Sequence, residues 1–571
     1  MYKDILVKAR SKLKVGGGGD RDKLKLVVLG GLGEIGKNMM ALEYENDIIV
    51  IDAGLMFPDD EMMGVDLVIP NISYLKENKD KVRAIIITHG HEDHTGALPY
   101  ILPELPVPIY ATRLTQGFIS SKLKEHRLLH NAKLKTITPG EKFTVGKFRI
   151  EFFAVCHSIP DAAGLIIETP VGTVVHSGDF KMDYTPVCGK GSDFSRLANL
   201  GEKGTLLLLS DSTYVEIPGF TPTEQIVGKA LDRIVGEAHG RVIITTFASL
   251  ISRIQQVVDA AAKHGRRVCI VGRSMTEVSK MAQEMGYLHA PPGIFCRVEE
   301  VHGLPPNKVL MLTTGSQGEP TSALVRIANL DHKFIKIVPG DTVVISATPI
   351  PGNESLVNRT VDNLFRQGAN VVYDKLSQVH VHGHGSQEEL KLLISLVKPK
   401  YFVPVHGEYR HLCLHAQMAN MLGVPEKNTF VMEDGQILEI GRDSARKTGK
   451  VEAGNVYIDG LGAGGVSGII LRDRQLLAKD GIVLVVIALD KTGGHLVGKP
   501  DLVSRGFIEA GPTEPLMDKG RELVMRALDH GGAKKSLEVS YIHQKVKETL
   551  GKFFSQETGR RPLILPVVIE V

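Results

Sequence analysis

The chain has 571 residues, too many for one hydrophobic core, and its length implies roughly three or four domains. It is 43% hydrophobic and 23% charged, and no stretch approaches the ~18 consecutive apolar residues of a membrane span, which excludes a helical membrane protein. The net charge of +3 permits a polyanionic partner without demanding one.

Residues 1–37 carry nine Lys/Arg against four Asp/Glu, and GGGGD at 16–20 reads as a joint between a basic flexible leader (1–20) and the first strand. The opening MYKDILVKARSKLK lacks a long apolar segment, so no signal peptide is expected. Short β-rich runs then alternate with turns: LKLVVL (24–29), MMALEY, DIIVIDAG, RAIIITH, KFRIEFFAV, AGLIIET, GTVVHSGD and TLLLLSD. From about 215 to 375 the pattern changes to strands alternating with longer helical periods, as in TEQIVGKALDRIVGEA, RVIITTF, SRIQQVVDAAAKHG and RRVCIVG. That alternation predicts α/β units with a parallel sheet. After KYFVPVHGEY (400–409) the first pattern resumes. The last unit begins at about 455, with GIVLVVIAL, helical periods near 516–529 and 536–554, and the strand PLILPVVIEV. Five scattered cysteines, Cys156, Cys188, Cys269, Cys296 and Cys413, form no CxxC pair and read as reduced thiols of a cytoplasmic protein.

Two motifs are decoys. GGLGEIGKN (30–38) contains GxGxxG and nearly a P-loop, but a nucleotide site needs a helix directly afterwards. Met40, Leu42 and Tyr44 instead alternate with Ala41, Glu43 and Glu45 at period two, so a strand is predicted, and the glycines are expected to let backbone pass close to a site. HRLLH (126–130) has the i, i+4 histidines of a helical zinc pair, yet Arg127 stands where the catalytic glutamate would be. A solvated helix face is expected there.

The third cluster is different in kind. In IIITHGHEDHTG an apolar strand runs straight into His89, His91, Asp93 and His94. This density of imidazole and carboxylate at a strand end suits metal binding, His89 and His91 on one ion and Asp93 and His94 on another. The loop cannot complete two sites alone. His157, Asp179 and His406 each come after an apolar run beside a small or turn-forming neighbour, where a cavity-lining residue would sit.

This order and spacing resembles the metallo-β-lactamase superfamily, whose αββα sandwich gathers such ligands along one edge. The resemblance implies His89, His91 and His157 on one metal, Asp93, His94 and His406 on the other, and Asp179 bridging. Asp52 matches the superfamily's buried aspartate, which orients a ligand histidine. The long interruption begins at SDSTY, where Asp211 matches the acidic motif of the β-CASP nucleases. It ends in VHVHGHGSQEEL, where His384 matches their motif histidine. His406 corresponds to the histidine that RNA-acting members carry and DNA-acting members usually replace with valine. With TFAS (246–249), TTGSQGEP (313–320), SATPIPGNE (346–354) and the terminal strand, the match covers essentially the whole chain and resembles the bacterial ribonuclease J family. One departure is visible: His382 stands where the family usually has serine.

The fold class implied is an α/β protein, a metallo-β-lactamase sandwich with an inserted β-CASP α/β domain and a C-terminal α/β domain. Its parts would be the sandwich over 21–212 and 379–452, the insertion over 213–378, and an oligomerisation domain over 453–571. The implied activity is metal-dependent cleavage of single-stranded RNA, both 5′→3′ exonucleolytic and endonucleolytic, by a cytoplasmic homodimer or homotetramer acting in rRNA processing and mRNA decay, with association in an RNA-decay complex. Phosphodiester hydrolysis by water needs a nucleophile at neutral pH, stabilised phosphoryl charge and a protonated leaving 3′-oxygen. Two divalent ions serve the first two needs, and mixed N/O donors suit zinc, with manganese as the alternative. Asp93 would position or deprotonate the attacking water, and His384, held charged by Asp211, would protonate the leaving oxygen. The segment His380, Val381, His382, Gly383 and His384 is expected to bind a terminal 5′-monophosphate through imidazoles and glycine amides, with His382 gaining charge as the pH falls toward ~6.5. A small-molecule hydrolase of the same superfamily would need no such insertion, and a catalytically silent RNA-binding scaffold would be expected to lack ligands.

Overall fold

The computed structural model describes residues 23–59, 61–189, 191–350, 352–460, 462–463, 468–491, 496–508, 514–529 and 538–571, so the basic leader lies outside the described residues. Two sheets face one another across the first core. The eight-stranded sheet runs in the order Ala445–Lys450, Gln436–Ile440, Leu24–Gly30, Met39–Tyr44, Asp47–Ile51, Val82–Ile86, Ile109–Ala111, Leu134–Thr136. The six-stranded sheet runs Pro399–Val405, Thr205–Asp211, Thr173–His176, Ala163–Glu168, Phe148–Ala154, Lys142–Val145. Side chains of a strand alternate between faces, so Leu24, Leu26 and Val28 of the first sheet meet Phe148, Ile150 and Phe152 of the second in one cluster. The opposite face of the second sheet, through Leu208 and Phe402, packs against Leu390, Leu393, Ile394 and Val397 of the helix Gln387–Val397.

Strand direction matters more than the count. In the second sheet Thr173–His176, Thr205–Asp211 and Pro399–Val405 are mutually parallel neighbours. Phe148–Ala154 runs the same way, because it is two antiparallel steps removed from Thr173–His176. In the first sheet Asp47–Ile51 and Val82–Ile86 are also parallel neighbours. The carboxyl ends of these strands carry Asp52, the 89–94 loop, His157, Asp179, Asp211 and His406.

The insertion is a separate layer. Its sheet is entirely parallel, in the order Phe295–Cys296, Arg267–Val271, Val309–Thr313, Val242–Thr245, Thr342–Ile345, Asn370–Tyr373. Apolar side chains leave both faces of it, as expected for a sheet covered by helices on each side.

The described residues form two compact units, one within positions 23–56 and 68–456, the other within positions 57–67 and 457–571. Sequence pattern alone groups residues 57–67 with the sandwich. They join the second unit instead: the Arg474 guanidinium donates to the carbonyls of Met63 and Gly64, the Gln475 amide to the Glu61 carbonyl and the Gly460 N–H to Asp66 Oδ2. That unit holds a three-stranded sheet, Asp501–Arg505, Ile482–Leu489 and Leu563–Glu570. The helix Val539–Thr558 packs on it through Ile542, Val546, Leu550 and Phe554.

Candidate metal centre

The loop after Val82–Ile86 turns into a short helix, Glu92–Thr95, so its side chains diverge. His89 and His91 point one way: His89 Nε2 lies 3.0 Å from His91 Nδ1, which lies 3.1 Å from His157 Nε2. Asp93 and His94 point the other way, where Asp93, His94, Asp179 and His406 form a second group with ligand atoms within 4.8 Å of one another. Asp179 belongs to both. Its Oδ2 lies 3.7 Å from His89 Nε2, 3.8 Å from His157 Nε2, 3.2 Å from His94 Nε2 and 3.3 Å from His406 Nε2. All seven residues expected from sequence therefore converge on one volume.

Outer hydrogen bonds aim the rings. Nδ1 of His94 is 2.8 Å from Asp52 Oδ2, Nδ1 of His89 is 3.1 Å from Thr88 Oγ1, and Nδ1 of His157 donates to the Gly383 carbonyl at 2.8 Å. Each leaves Nε2 facing inward, the arrangement that fixes the tautomer of a metal-binding histidine. Asp52 is held in turn by the amide and hydroxyl of Thr88.

The electrostatics divide the cluster. Burial, reinforced by neighbouring imidazoles, pushes His89 and His157 well below the ordinary histidine range and His91 to about 4, so three neutral nitrogens meet at one point. Burial also acts against charge on His94 and His406, but Asp179 and Asp93 outweigh it, with Asp52 adding to His94. His94 is raised far above its usual value and His406 to about 9. Asp179 stays well below the carboxylate range, because His406, His94 and His89 outweigh its burial. Neutral imidazole nitrogens converging beside carboxylates that favour positive charge fit divalent cations, and the cluster suits their binding.

Beside this cluster His384 Nδ1 lies 2.7 Å from Asp211 Oδ2. Burial works against a charged His384, yet Asp211 outweighs it and raises the pKa. Asp211 is fixed by the amide (3.0 Å) and hydroxyl (2.7 Å) of Thr213.

The 380–384 segment departs from the sequence expectation in one respect. His382 stacks on Tyr214, with centroids 3.9 Å apart and planes at 9°, and its Nδ1 bonds the His384 carbonyl at 2.8 Å. Burial first, then the nearby His384, push its pKa down to about 4, so it gains no charge near pH 6.5. His380 is pushed to about 3, by burial and then by Arg253. Val381 is buried, and a side chain on Gly383 would collide with the His157 ring. The segment thus braces His157 through the Gly383 carbonyl.

Sequence reasoning missed three contributors. Asn38, the last residue of the GGLGEIGKN decoy, donates through Nδ2 to the Asp93 carbonyl at 3.2 Å and sits 3.2 Å from His94 Nε2. The glycines around it let backbone approach, as expected: Gly31 has φ +88°, and a Cβ there would lie 2.4 Å from Asn38 Oδ1. The buried Glu389 accepts from the amides of Met182, Thr221 and Ser386, tying three segments beside His384. The S-x-x-E spacing of Ser386 and Glu389 carried that signal as a capping box. Tyr214 comes three residues after Asp211 in SDSTY, and nothing in sequence pointed to its stacking. The HRLLH histidines are exposed, His126 closing the helix Arg113–Glu125 and His130 lying in a separate 3₁₀ turn.

Residues 32–195 match the metallo-beta-lactamase superfamily, and residues 369–432 match a family described as the Zn-dependent metallo-hydrolase RNA specificity domain. Fold and site together define the class, a metal-binding hydrolase of that superfamily. Residues 239–364 match the ribonuclease J beta-CASP domain, and residues 469–571 the ribonuclease J C-terminal domain. The chain is 45% identical to ribonuclease J of Thermus thermophilus, covering 97% of this chain and 96% of that one. It is 43% identical to ribonuclease J2 of Bacillus subtilis (96% and 99%) and 42% identical to ribonuclease J 1 of Streptococcus pyogenes (96% and 98%). This chain belongs to the ribonuclease J family. A crystal structure of a protein of unknown function from Enterococcus faecalis shares the fold alone, with a TM-score of 0.53 at 16% identity over 73% of this chain and all of the other.

Asn38→Ala removes the amide that holds Asp93 against His94. Metal affinity, measured by chelator competition, is expected to fall about 10–100-fold, the range for outer-shell partners. Unchanged affinity would leave Asn38 a purely structural residue.

Proposed function

We propose that this protein hydrolyses RNA phosphodiester bonds at two divalent ions, degrading 5′-monophosphorylated single-stranded RNA in the 5′→3′ direction and also cutting internally, in RNA maturation and mRNA decay. Family membership makes the chain a metal-dependent ribonuclease, a hydrolase of phosphodiester bonds. The observation that carries the two-ion reading is the reach of one Asp179 oxygen to histidines of both groups. His89, His91 and His157 would hold one ion, Asp93, His94 and His406 the other, with Asp179 between them. Imidazole-rich donors favour zinc, with manganese the second choice. When bound, two such ions lower the pKa of water and neutralise charge on the phosphoryl oxygens.

The chain's own residues supply the rest. Asp93, anchored through Asn38, orients the attacking water or accepts its proton. His384, kept charged by Asp211, donates a proton to the leaving 3′-oxygen. A terminal monophosphate is proposed to meet the 380–384 segment. The amides of 381–385 donate to no protein acceptor among the described residues, which leaves them for an anion. The imidazoles of His380 and His382, being neutral, contribute hydrogen bonding without charge.

All five cysteines are free, which supports a reducing, cytoplasmic setting, and among the described residues no helix is long and apolar enough to cross a membrane. The second unit is proposed to make the homodimer or homotetramer, through which the enzyme would join an RNA-decay complex. Val503, Leu565 and Ile569 leave its sheet 38%, 45% and 46% exposed, an apolar surface suited to a partner.

Asp179→Ala is expected to lose both ions, and elemental analysis returning two full equivalents would defeat the bridging assignment. In His384→Ala, metal content should stay near normal while single-turnover cleavage slows about 10²–10⁴-fold; an unchanged rate removes His384 from the mechanism. A chain ending at residue 454 should be monomeric by light scattering, and a persistent dimer would reject the second unit's role. The deciding experiment digests 5′-monophosphate, 5′-triphosphate and circular RNAs in parallel and sizes the products. Mononucleotides should appear from the first alone, with internal cuts in the others. Equal stepwise rates on mono- and triphosphate ends would show that no terminal pocket operates.

A further inference from the structure

The motifs TFAS and TTGSQGEP, and the segment Gly272, Arg273 and Ser274 after the strand Arg267–Val271, have no role in the metal centre. They meet at the carboxyl edge of the inserted parallel sheet. Neighbouring strands Val242–Thr245 and Val309–Thr313 feed helices on opposite faces. Ile251–Lys263, after the first, packs into one apolar cluster through Ile254 and Val257, and Ala323–Ala328, after the second, packs into the other through Leu324 and Ile327. Adjacent strands whose connections part in this way open a crevice at their carboxyl ends, the position where open α/β sheets bind ligands. A cavity of about 690 Å³ lies there, within the roughly 300–1,000 Å³ of small-molecule sites. It shares no lining residue with the metal centre or the 380–384 segment.

Its chemistry is that of an anion site. The twelve-residue helix Arg273–Glu284 begins at its wall, with Gly272 as a cap that offers no side-chain bond, so the first-turn amides are open to a ligand. Arg273 and Arg326 both line the cavity, and neither has a carboxylate within ion-pair distance among the described residues. Arg326 spends one N–H on the Asp331 carbonyl at 3.3 Å. His332 accepts the amides of Phe334 and Ile335 on Nδ1, which leaves Nε2–H as a donor. Ser316 also lines the cavity and is only 3% exposed, yet its hydroxyl has no protein partner among the described residues. An unpartnered hydroxyl on an otherwise buried serine, open to the cavity beside two unpaired guanidinium groups and a helix N-terminus, suits an acceptor-rich ligand. Glu319 is the one carboxylate on the wall.

We propose that this cavity binds a nucleoside phosphate, its phosphate at the start of Arg273–Glu284 between Arg273 and Arg326, its nucleoside against Phe247. The phosphate can belong to a free mononucleotide or to a nucleotide within an RNA strand; the recognition chemistry is shared.

The test uses the metal-loaded full chain and calorimetric titration with inorganic phosphate, AMP, adenosine and a 5′-monophosphorylated 2′-O-methyl decanucleotide. Arg273→Gln, Arg326→Gln and Ser316→Val are compared with wild type, and metal content and melting temperature verify that the metal centre and fold are intact. Wild type should bind AMP or the decanucleotide but not adenosine, and the arginine variants should lose at least tenfold in affinity for one equivalent of whichever ligand binds. Loss for AMP assigns the site to free nucleotide, and loss confined to the decanucleotide assigns it to the RNA strand. Affinities within twofold of wild type for every ligand in both arginine variants would overturn the proposal. The metal-centre reading would stand either way, because it rests on none of these residues.

Discussion

The carboxylate of Asp179 is the point on which the rest of the site depends. A buried anion is costly unless compensated, and here one oxygen faces four imidazoles at 3.2–3.8 Å. Those imidazoles come from strand ends in both sheets of the sandwich and from a strand that returns only after the insertion. Bringing them within reach of one oxygen requires the sheets to be stacked and the strands to run parallel, so that their carboxyl ends share an edge. The fold is in this sense a device for concentrating ligand atoms that are far apart in sequence.

Backbone strain marks the same place. Asp52 and His406 both adopt left-handed conformations, with φ of 60° and 53°, although neither is glycine. Such residues cost about 1–3 kcal/mol each and persist where their surroundings over-determine them. Asp52 is fixed by Thr88 and His94, and the His406 carbonyl accepts the Ser212 amide at 3.2 Å. The turn that releases each strand is therefore also the turn that aims its functional side chain.

The insertion is tied to the metal centre by the segment that leaves it. Gly383 bonds His157, His384 bonds Asp211, and Glu389 clamps the amides of Met182, Thr221 and Ser386. Arg253, wholly buried, bonds the carbonyl of Val379, one residue before the histidines, at 2.9 Å. Movement of the inserted layer would be felt at both His157 and the proposed proton donor.

Much of this was legible in sequence. Strand alternation, the change to α/β periodicity, the HxHxDH loop and the histidine and aspartate at later strand ends each rest on local pattern, and local pattern determines which residues leave a strand and on which face. Asp52 was legible only through the resemblance to the superfamily, whose buried aspartate it matches. What sequence alone left open was set by contacts between distant segments. The grouping of residues 57–67 with the C-terminal unit depends on hydrogen bonds to Gly460, Arg474 and Gln475, 394 to 414 positions away. Asn38 looked like a defective nucleotide loop until the fold laid it against Asp93. His382 carries no sign in its own neighbourhood that Tyr214 will stack on it or that burial and His384 will keep it neutral. Residue type and spacing determined the donor atoms. Tertiary structure decided their protonation, their orientation and their partners, because burial and Coulomb interactions depend on distance in space.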